Sequence, residues 1–350
     1  MGSGVWNPTT YRSTTSSKKS EFGTSFVYDK KMRSKPKSSW TVHEDLDPKR
    51  KNKAGAHSGL ITRESLDSDE HPETLPIVVM FDVTGSMHRL PKLLQEKLPQ
   101  LHGLILRKGY AAHPQIMFGG IGDAYVDRAP LQVSQFESDN RMDEHLTNIL
   151  LEGGGGGGNH ESYELAAYFM NHHTYIDSLE NRGKKGYFFI IGDERPYAKL
   201  EGRIIREVLG EPIQQPYVET DEIFRQVQEK YNTFFLFADE GSYSAEQTIA
   251  AKSDSRRASW RELLGQNALV LDDASAVCET IAVTIGMMEG VVSLDEGLAD
   301  LKDVGSDSRS IEATSTALAA VKASGSGSVV QVESPGFAES EDTGAGAEAV

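Results

Sequence analysis

A short motif, Asp82-Val83-Thr84-Gly85-Ser86-Met87, brings together side chains that carry hard oxygen atoms. A carboxylate and two hydroxyls at i, i+2 and i+4 can converge on one point in a turn that enters a helix, and Gly85 allows that turn to be tight. Such ligands suit Mg²⁺ or Mn²⁺. The same residue types cap helices, but one cap needs only one of them. The motif therefore predicts a divalent-metal site formed by Asp82, Thr84 and Ser86.

A second carboxylate, Asp193, follows the apolar run Tyr187-Phe188-Phe189-Ile190-Ile191 after a single glycine. The motif at Asp82 also follows an apolar run, at 76–81. If both runs are parallel strands, their carboxyl ends meet at one edge of the sheet. Two carboxylates there repel each other unless a cation lies between them. We therefore predict that Asp193 binds the same ion.

The glycine run at 153–158 leads into Asn159-His160-Glu161-Ser162 and can bring a further oxygen ligand to the ion. Asn159 is the preferred candidate, and Glu161 and Ser162 are alternatives. Glu161 also suits the first turn of a helix, where a carboxylate interacts favourably with the helix dipole. The run is not a phosphate-binding loop, because no Lys followed by a hydroxyl residue comes after it.

Other polar residues near the predicted strand ends have ordinary structural explanations as well as functional ones. Asp123 is either a turn carboxylate or a hydrogen-bond partner of the metal ligands. His160 is assigned to ligand contact, Tyr125 and Arg195 to the rim of the site, and Asp272 and Asp273 to the cap of the closing helix. His172 and His173 lie at a predicted helix end, where contact with the helix dipole and metal binding explain them equally well.

Apolar runs and helical stripes alternate through the middle of the chain. Strands are predicted at 76–81, 115–122, 131–136, 187–191, 233–237 and 268–271, and helices at 90–105, 142–151, 162–170, 222–231, 244–251, 260–264 and 274–288. This order predicts an α/β domain over residues 75–290. Its fold is a Rossmann-like, doubly wound and mostly parallel central sheet flanked by helices.

The two ends of the chain differ from the middle in composition. Residues 1–74 contain basic clusters and few periodic apolar residues, which predicts a disordered basic arm. Residues 291–350 are rich in Gly, Ala, Ser and Glu, which predicts a flexible acidic tail with one short helix at 311–321.

The net charge of −16 disfavours nucleic acid or an anionic membrane as the main partner, although the basic arm could contact nucleic acid. No apolar run approaches the roughly 18 residues that span a bilayer, and the first residues do not resemble a signal peptide. The single cysteine, Cys278, excludes an internal disulfide within these 350 residues. We expect a cytoplasmic protein, or a virion protein if the gene belongs to a phage.

The motif at Asp82, with Asp193, resembles the metal site of the von Willebrand factor A domain, also found as the integrin I domain. In that family a D-x-S/T-x-S motif after the first strand, a Thr from a later loop and an Asp after the fourth strand form a metal-ion-dependent adhesion site. Asp82, Thr84, Ser86 and Asp193 match this pattern over residues 75–290. The glycine run lacks the Thr and is similar to a variant in bacterial and phage-like members.

The resemblance implies a binding protein in which a metal ion captures an Asp or Glu side chain of a protein partner. An AAA+ ATPase and virion or assembly proteins are the partners that a bacterial or phage setting suggests. The alternative classes are a metal-dependent hydrolase or phosphoryl-transfer enzyme, in which His160, Glu161 or Glu194 would act as the base, and a structural or scaffold protein. We expect no enzymatic activity, because one ion bound by hydroxyls activates water poorly.

Overall fold

The structure is a computed structural model that describes residues 4–53, 55–87, 89–153, 160–238 and 246–321. The side chains of residue 86 and of residues 246–254 are not described. Asn159 therefore lies outside the described residues, as do residues 322–350 of the predicted tail.

A six-stranded sheet forms the centre of the molecule, in the order β12-β11-β7-β2-β3-β4. Its strands are β2 (Leu75–Asp82), β3 (Pro114–Ile121), β4 (Leu131–Val133), β7 (Gly186–Gly192), β11 (Tyr231–Ala238) and β12 (Ala268–Leu271). All neighbours pair in parallel except β3 and β4, which are antiparallel. The prediction of an α/β fold with a mostly parallel central sheet is confirmed.

Helices cover both faces of this sheet because its strands are apolar on both sides. Along β2, Ile77 and Val79 pack into one buried cluster, and Val78 and Met80 pack into another. The first cluster lies against α3 (Leu90–Arg107) and α10 (Val277–Met288), and the second against α5 (Tyr163–His172), α8 (Thr220–Lys230) and α9 (Glu246–Leu264). Strands buried on both faces appear in sequence as unbroken apolar runs.

Shorter elements surround this framework. The remaining helices are α1 (Pro8–Phe22), α2 (Val27–Arg33), α4 (Arg141–Thr147), α6 (Asp177–Arg182), α7 (Gly202–Ile204), α11 (Leu294–Asp303) and α12 (Ser308–Leu318). Three two-stranded pairs lie outside the main sheet: β1 (Arg63–Ser65) with β6 (Thr174–Ile176), β5 (His160–Glu161) with β8 (Arg195–Pro196), and β9 (Lys199–Glu201) with β10 (Tyr217–Glu219). No helix among the described residues is both long and apolar enough to cross a membrane.

The structure corrects the prediction that residues 1–74 form a disordered arm. In its described part this segment contains α1, which Asn7 caps at its start, and α2. Trp6 and Tyr11 are buried in the same cluster as α3, and the indole of Trp6 donates to Asp143 of α4 at 3.0 Å. A few aromatic anchors hold a mostly polar segment on the domain, and composition averaged over the segment does not reveal them.

The prediction of a flexible tail is also corrected for residues 291–321. Ser293 and Glu296 form a capping box at the start of α11, and Asp307 caps α12. Leu301 and Leu318 join the cluster that contains α10. The predicted helix at 311–321 corresponds to α12. The Gly-, Ala- and Ser-rich composition of this region hid α11, an amphipathic helix that buries only one narrow face.

Candidate functional site

The two predicted metal-binding carboxylates lie at the carboxyl ends of neighbouring strands in the middle of the sheet. Phe81 of β2 pairs with Ile191 of β7 in parallel register. Continuing that register places Asp82 beside Gly192, with Asp193 one residue further along, and neighbouring strands lie about 4.8 Å apart. The chain runs from β2 outward to β3 and β4 on one side, and to β7, β11 and β12 on the other. Asp82 and Asp193 thus occupy the switch point, where open α/β sheets bind ligands.

Asp82 is fully buried, and its two carboxylate oxygens are held from different directions. The backbone N–H of Thr84 donates to Oδ1 at 2.6 Å, and the hydroxyl of Thr84 also bonds to this carboxylate. The hydroxyl of Tyr163 donates to Oδ2 at 3.1 Å. Burial, followed by the negative charge of Asp193, raises the pKa of Asp82 to about 7.

Tyr163 connects the two strand ends, and no sequence motif predicted this role. It is the first residue of α5, and its buried hydroxyl also accepts a hydrogen bond from the backbone N–H of Glu194. A Cβ atom at residue 192 would overlap the Tyr163 hydroxyl, so the ring can reach Asp82 only because residue 192 is glycine. The glycine before Asp193 was the available signal, because a glycine at a strand end often marks a close approach of another group.

Glu161 adds a third carboxylate to this edge. It is 5 % exposed, and its Oε2 has no hydrogen-bond partner among the described residues. Burial and then the charges of Asp82, Asp123, Asp127 and Asp193 raise the pKa of Glu161 to about 10. A buried, unsatisfied carboxylate is costly unless it is neutral or a cation lies beside it.

Aromatic side chains form one rim of the site. The hydroxyl of Tyr197 donates to both oxygens of Asp123 at 3.1 Å, and the rings of Tyr125 and His160 pack against the Tyr197 ring at 4.6 and 5.1 Å. Arg195 of β8 lies beside His160 of β5, because the two residues are in register in this parallel strand pair. Asp123 therefore supports the rim through hydrogen bonds.

The opposite wall comes from α9. Arg256 donates to a carboxylate oxygen of Glu194 at 2.8 Å, and the indole of Trp260 donates to the backbone carbonyl of Glu194, also at 2.8 Å. The Trp260 ring stacks on Phe235 at 3.7 Å and meets Tyr163 edge-on. These contacts fix the loop that follows β7. Glu194 is thereby committed to Arg256, which leaves it poorly placed to act as a base.

The described flanks of the glycine run are both anchored at this edge. The backbone N–H of Gly153 donates to the carbonyl of Val83 at 3.0 Å. At the other flank, Ser162 donates its N–H to the carbonyl of Gly122, and its hydroxyl accepts from Ala124 N–H at 2.9 Å. Because the Ser162 hydroxyl is engaged by Ala124, whereas Oε2 of Glu161 has no partner among the described residues, Glu161 is the better placed of these two alternatives for a ligand.

The structure brings Asp82, Thr84 and Asp193 together, and it adds Glu161 and Tyr163. The side chain of Ser86 and the whole of Asn159 lie outside what is described. Within the described residues, no group of three or more His, Cys, Asp or Glu side chains could hold an ion by itself. The predicted metal ligands are not a group of that type, since they comprise two carboxylates together with hydroxyls. Their hard oxygens and the unsatisfied Glu161 oxygen suit a small divalent cation.

Comparison with known proteins gives limited structural likeness. No family model and no curated protein matches the chain. The pilus adhesin SpaC from Lactobacillus rhamnosus GG, in its open conformation, aligns at 11% identity and a TM-score of 0.40, over 61% of this chain and 30% of that one. Proximal thread matrix protein 1 from the mussel byssus aligns at 9% identity and a TM-score of 0.40, over 62% of this chain and 48% of that one. Both TM-scores lie below 0.5, so neither likeness bears on function.

Proposed function

We propose that this chain is a divalent-metal-dependent protein-binding module of the von Willebrand factor A type. Asp82, Thr84, Ser86 and Asp193 would hold Mg²⁺ or Mn²⁺, with Glu161 or Asn159 as a further oxygen ligand. The bound ion would supply a positive centre with room for a carboxylate from a protein partner. An AAA+ ATPase or a virion or assembly protein is the class of partner that fits this proposal.

The observation that carries the proposal is the concentration of buried carboxylates at the switch point. Burial, followed by the charges of neighbouring carboxylates, raises the pKa values of Asp82 and Glu161. Such a cluster costs folding free energy unless its charge is neutralised. A divalent cation would neutralise the negative charge of this cluster and so offset its cost in folding free energy.

The surrounding side chains suit recognition of a peptide segment. Next to the site lies a cavity of about 520 Å³ whose lining includes His160, Arg195, Tyr197 and Leu263. Its lining combines the rings of His160 and Tyr197 with charged side chains of both signs, which could contact the backbone and polar groups of a peptide. A partner carboxylate at the ion would place the neighbouring residues of that partner in or beside this cavity.

The first test is direct metal binding. Mg²⁺ or Mn²⁺ titrated into the chain by calorimetry should bind at one site, and Asp82→Ala should abolish this binding. Asp272→Ala is the matched control, because Asp272 also follows a strand of the same sheet but is exposed. Equal affinity in the wild type and in Asp82→Ala would refute the metal site.

The second test concerns the partner. Proteins captured from the native source should be lost both on adding EDTA and in Asp82→Ala, and retained in Asp272→Ala. Capture that is indifferent to EDTA would favour a structural role. Metal-dependent hydrolysis of a phosphoester that is lost in Glu161→Gln would replace the binding proposal with an enzymatic one.

A further inference from the structure

A pair of histidines lies at the edge of the sheet opposite to the site described above. His71 precedes β2 and His113 immediately precedes β3, so both are at the amino ends of adjacent parallel strands. Their Nδ1 atoms are 3.3 Å apart, and the two rings cross at 71°. Nothing in the proposed function uses this pair.

The separation of the two nitrogens fits a shared metal ion. Zn–N bonds are about 2.0–2.1 Å long, so two ligands at a tetrahedral angle have their nitrogens about 3.3–3.4 Å apart. The observed 3.3 Å matches the spacing of two ligands on one ion, and without an ion it lets one Nδ1 donate a hydrogen bond to the other.

The other ring nitrogen of His71 sets the tautomer. Its Nε2 lies 3.1 Å from the carbonyl oxygen of Gly4, which can only accept a hydrogen bond. The proton of the neutral ring is therefore on Nε2, and the lone pair of Nδ1 points at His113. A histidine that binds a metal typically donates its second N–H to a carbonyl in this way.

Backbone hydrogen bonds hold both histidines in place. His71 closes a turn in which its N–H and its carbonyl both bond to Ser68. The carbonyl of His113 accepts from Leu75 N–H at 2.9 Å, at the start of the β2–β3 pairing. His71 is buried and His113 is half-buried, so the pair is rigid but reachable from solvent. Rigid elements are what a preorganised metal site requires.

We propose that His71 and His113 form a second metal site, selective for an imidazole-binding transition ion such as Zn²⁺, Ni²⁺ or Cu²⁺. Imidazole nitrogens favour these ions, whereas Mg²⁺ favours oxygen ligands. Solvent molecules complete the coordination shell. Because Gly4 is bonded to His71, an ion at this site also stabilises the docking of the N-terminal segment.

The test uses the full chain in excess Mg²⁺, with Zn²⁺ as the probe in calorimetry and Cu²⁺ in electron paramagnetic resonance. The wild type should bind one Zn²⁺, and its Cu²⁺ spectrum should show coupling to imidazole nitrogen. His113→Gln should weaken Zn²⁺ binding by at least about 10-fold. His172→Gln is the matched control, because His172 is exposed and its neighbour His173 has both ring nitrogens engaged, by Ile61 and Glu211.

The outcomes separate this site from the one at Asp82. Zn²⁺ binding that survives in Asp82→Ala and is lost in His113→Gln supports the inference, whatever becomes of the proposed function. Zn²⁺ binding retained in the double variant His71→Gln/His113→Gln would overturn it, and so would the absence of a saturable site in the wild type. Melting curves recorded without metal identify any variant that fails to fold.

Discussion

At the scale of single residues, the hydrogen bond from Tyr163 to Asp82 distinguishes this carboxylate from one that only caps a helix. Tyr163 donates to one oxygen of Asp82 and accepts from the backbone beside Asp193. The hydroxyl therefore orients the carboxylate and couples the two strand ends. Outer partners of metal ligands typically influence metal affinity by about 10- to 100-fold.

Tyr163→Phe should weaken Mg²⁺ binding by about 10-fold or more. It should also lower the free energy of unfolding by about 1–3 kcal/mol, because a buried carboxylate loses a donor. Calorimetry and urea denaturation measure the two effects. Tyr187→Phe is the control, since the Tyr187 hydroxyl donates to Glu289, well away from Asp82. If both variants bind Mg²⁺ like the wild type, Tyr163 does not position the ligand.

Asp143 provides a test of pH dependence away from the proposed metal site. Burial raises the pKa of Asp143 to about 6, against the donors Asn140 and Trp6, which lower it. In the unfolded chain the pKa is about 3.9, so between pH 4 and 6 the folded state binds more protons. The stabilisation from Asp143 is thus complete below about pH 4 and is lost as the pH rises through about 6.

Asp143→Asn should remove this contribution. Relative to the variant, the wild type should lose on the order of 1–2 kcal/mol of unfolding free energy between about pH 4 and pH 6. Urea denaturation of both proteins across this range measures the difference. Parallel pH profiles for the two proteins would contradict the raised pKa.

At the scale of elements, the site depends on how closely α5 approaches the end of β7. Gly192 ends β7, and the Tyr163 ring lies directly over it. The contact is between a helix start and a strand end from distant parts of the sequence. This contact fixes the position of the carboxylate at the end of β2 relative to the loop after β7.

Gly192→Ala should displace the Tyr163 ring and lower the free energy of unfolding by about 1–3 kcal/mol, because a buried contact is overpacked. Mg²⁺ affinity should fall along with stability. Gly103→Ala is the control: within α3 the atoms nearest to the added methyl belong to the flexible end of Arg107, and alanine favours a helix. Thermal melting and calorimetry compare the two variants. An undisturbed Gly192→Ala protein would show that the close approach is not required.

At the scale of the whole molecule, the N-terminal segment supports the loop that leads to the site. Asp29 of α2 accepts from the backbone N–H of Leu151 at 3.1 Å, and Lys37 pairs with Glu152 at 3.2 Å. These contacts immediately precede the glycine run. The segment anchored by Trp6 is thus part of the same folding unit as the sheet.

Trp6→Ala should lower the free energy of unfolding by about 3–5 kcal/mol, because a large buried ring is lost. It should also increase hydrogen exchange in α1 and α2. Trp40→Ala is the control and should cost less, because Trp40 is only half-buried. A Trp6→Ala protein as stable as the wild type would restore the interpretation of residues 1–74 as an independent arm.

The sequence by itself determined the sheet and the location of the candidate site along the chain. Apolar runs predicted five of the six strands of the main sheet, because strands buried on both faces must be apolar throughout. The alternation of apolar and polar residues at 131–136 predicted the edge strand β4. The alternation of strands with helices predicted parallel pairing, which in turn brought Asp82 and Asp193 to one edge.

Only the tertiary structure decided which side chains meet these carboxylates. Tyr163 lies 81 residues from Asp82 in sequence, and no local pattern relates the two. The docking of residues 4–74 was equally hidden, because it depends on a few anchors such as Trp6 rather than on composition. The pattern of apolar residues in a strand or helix indicates which of its faces are buried. Which residue packs against a buried side chain depends on how elements distant in sequence come together.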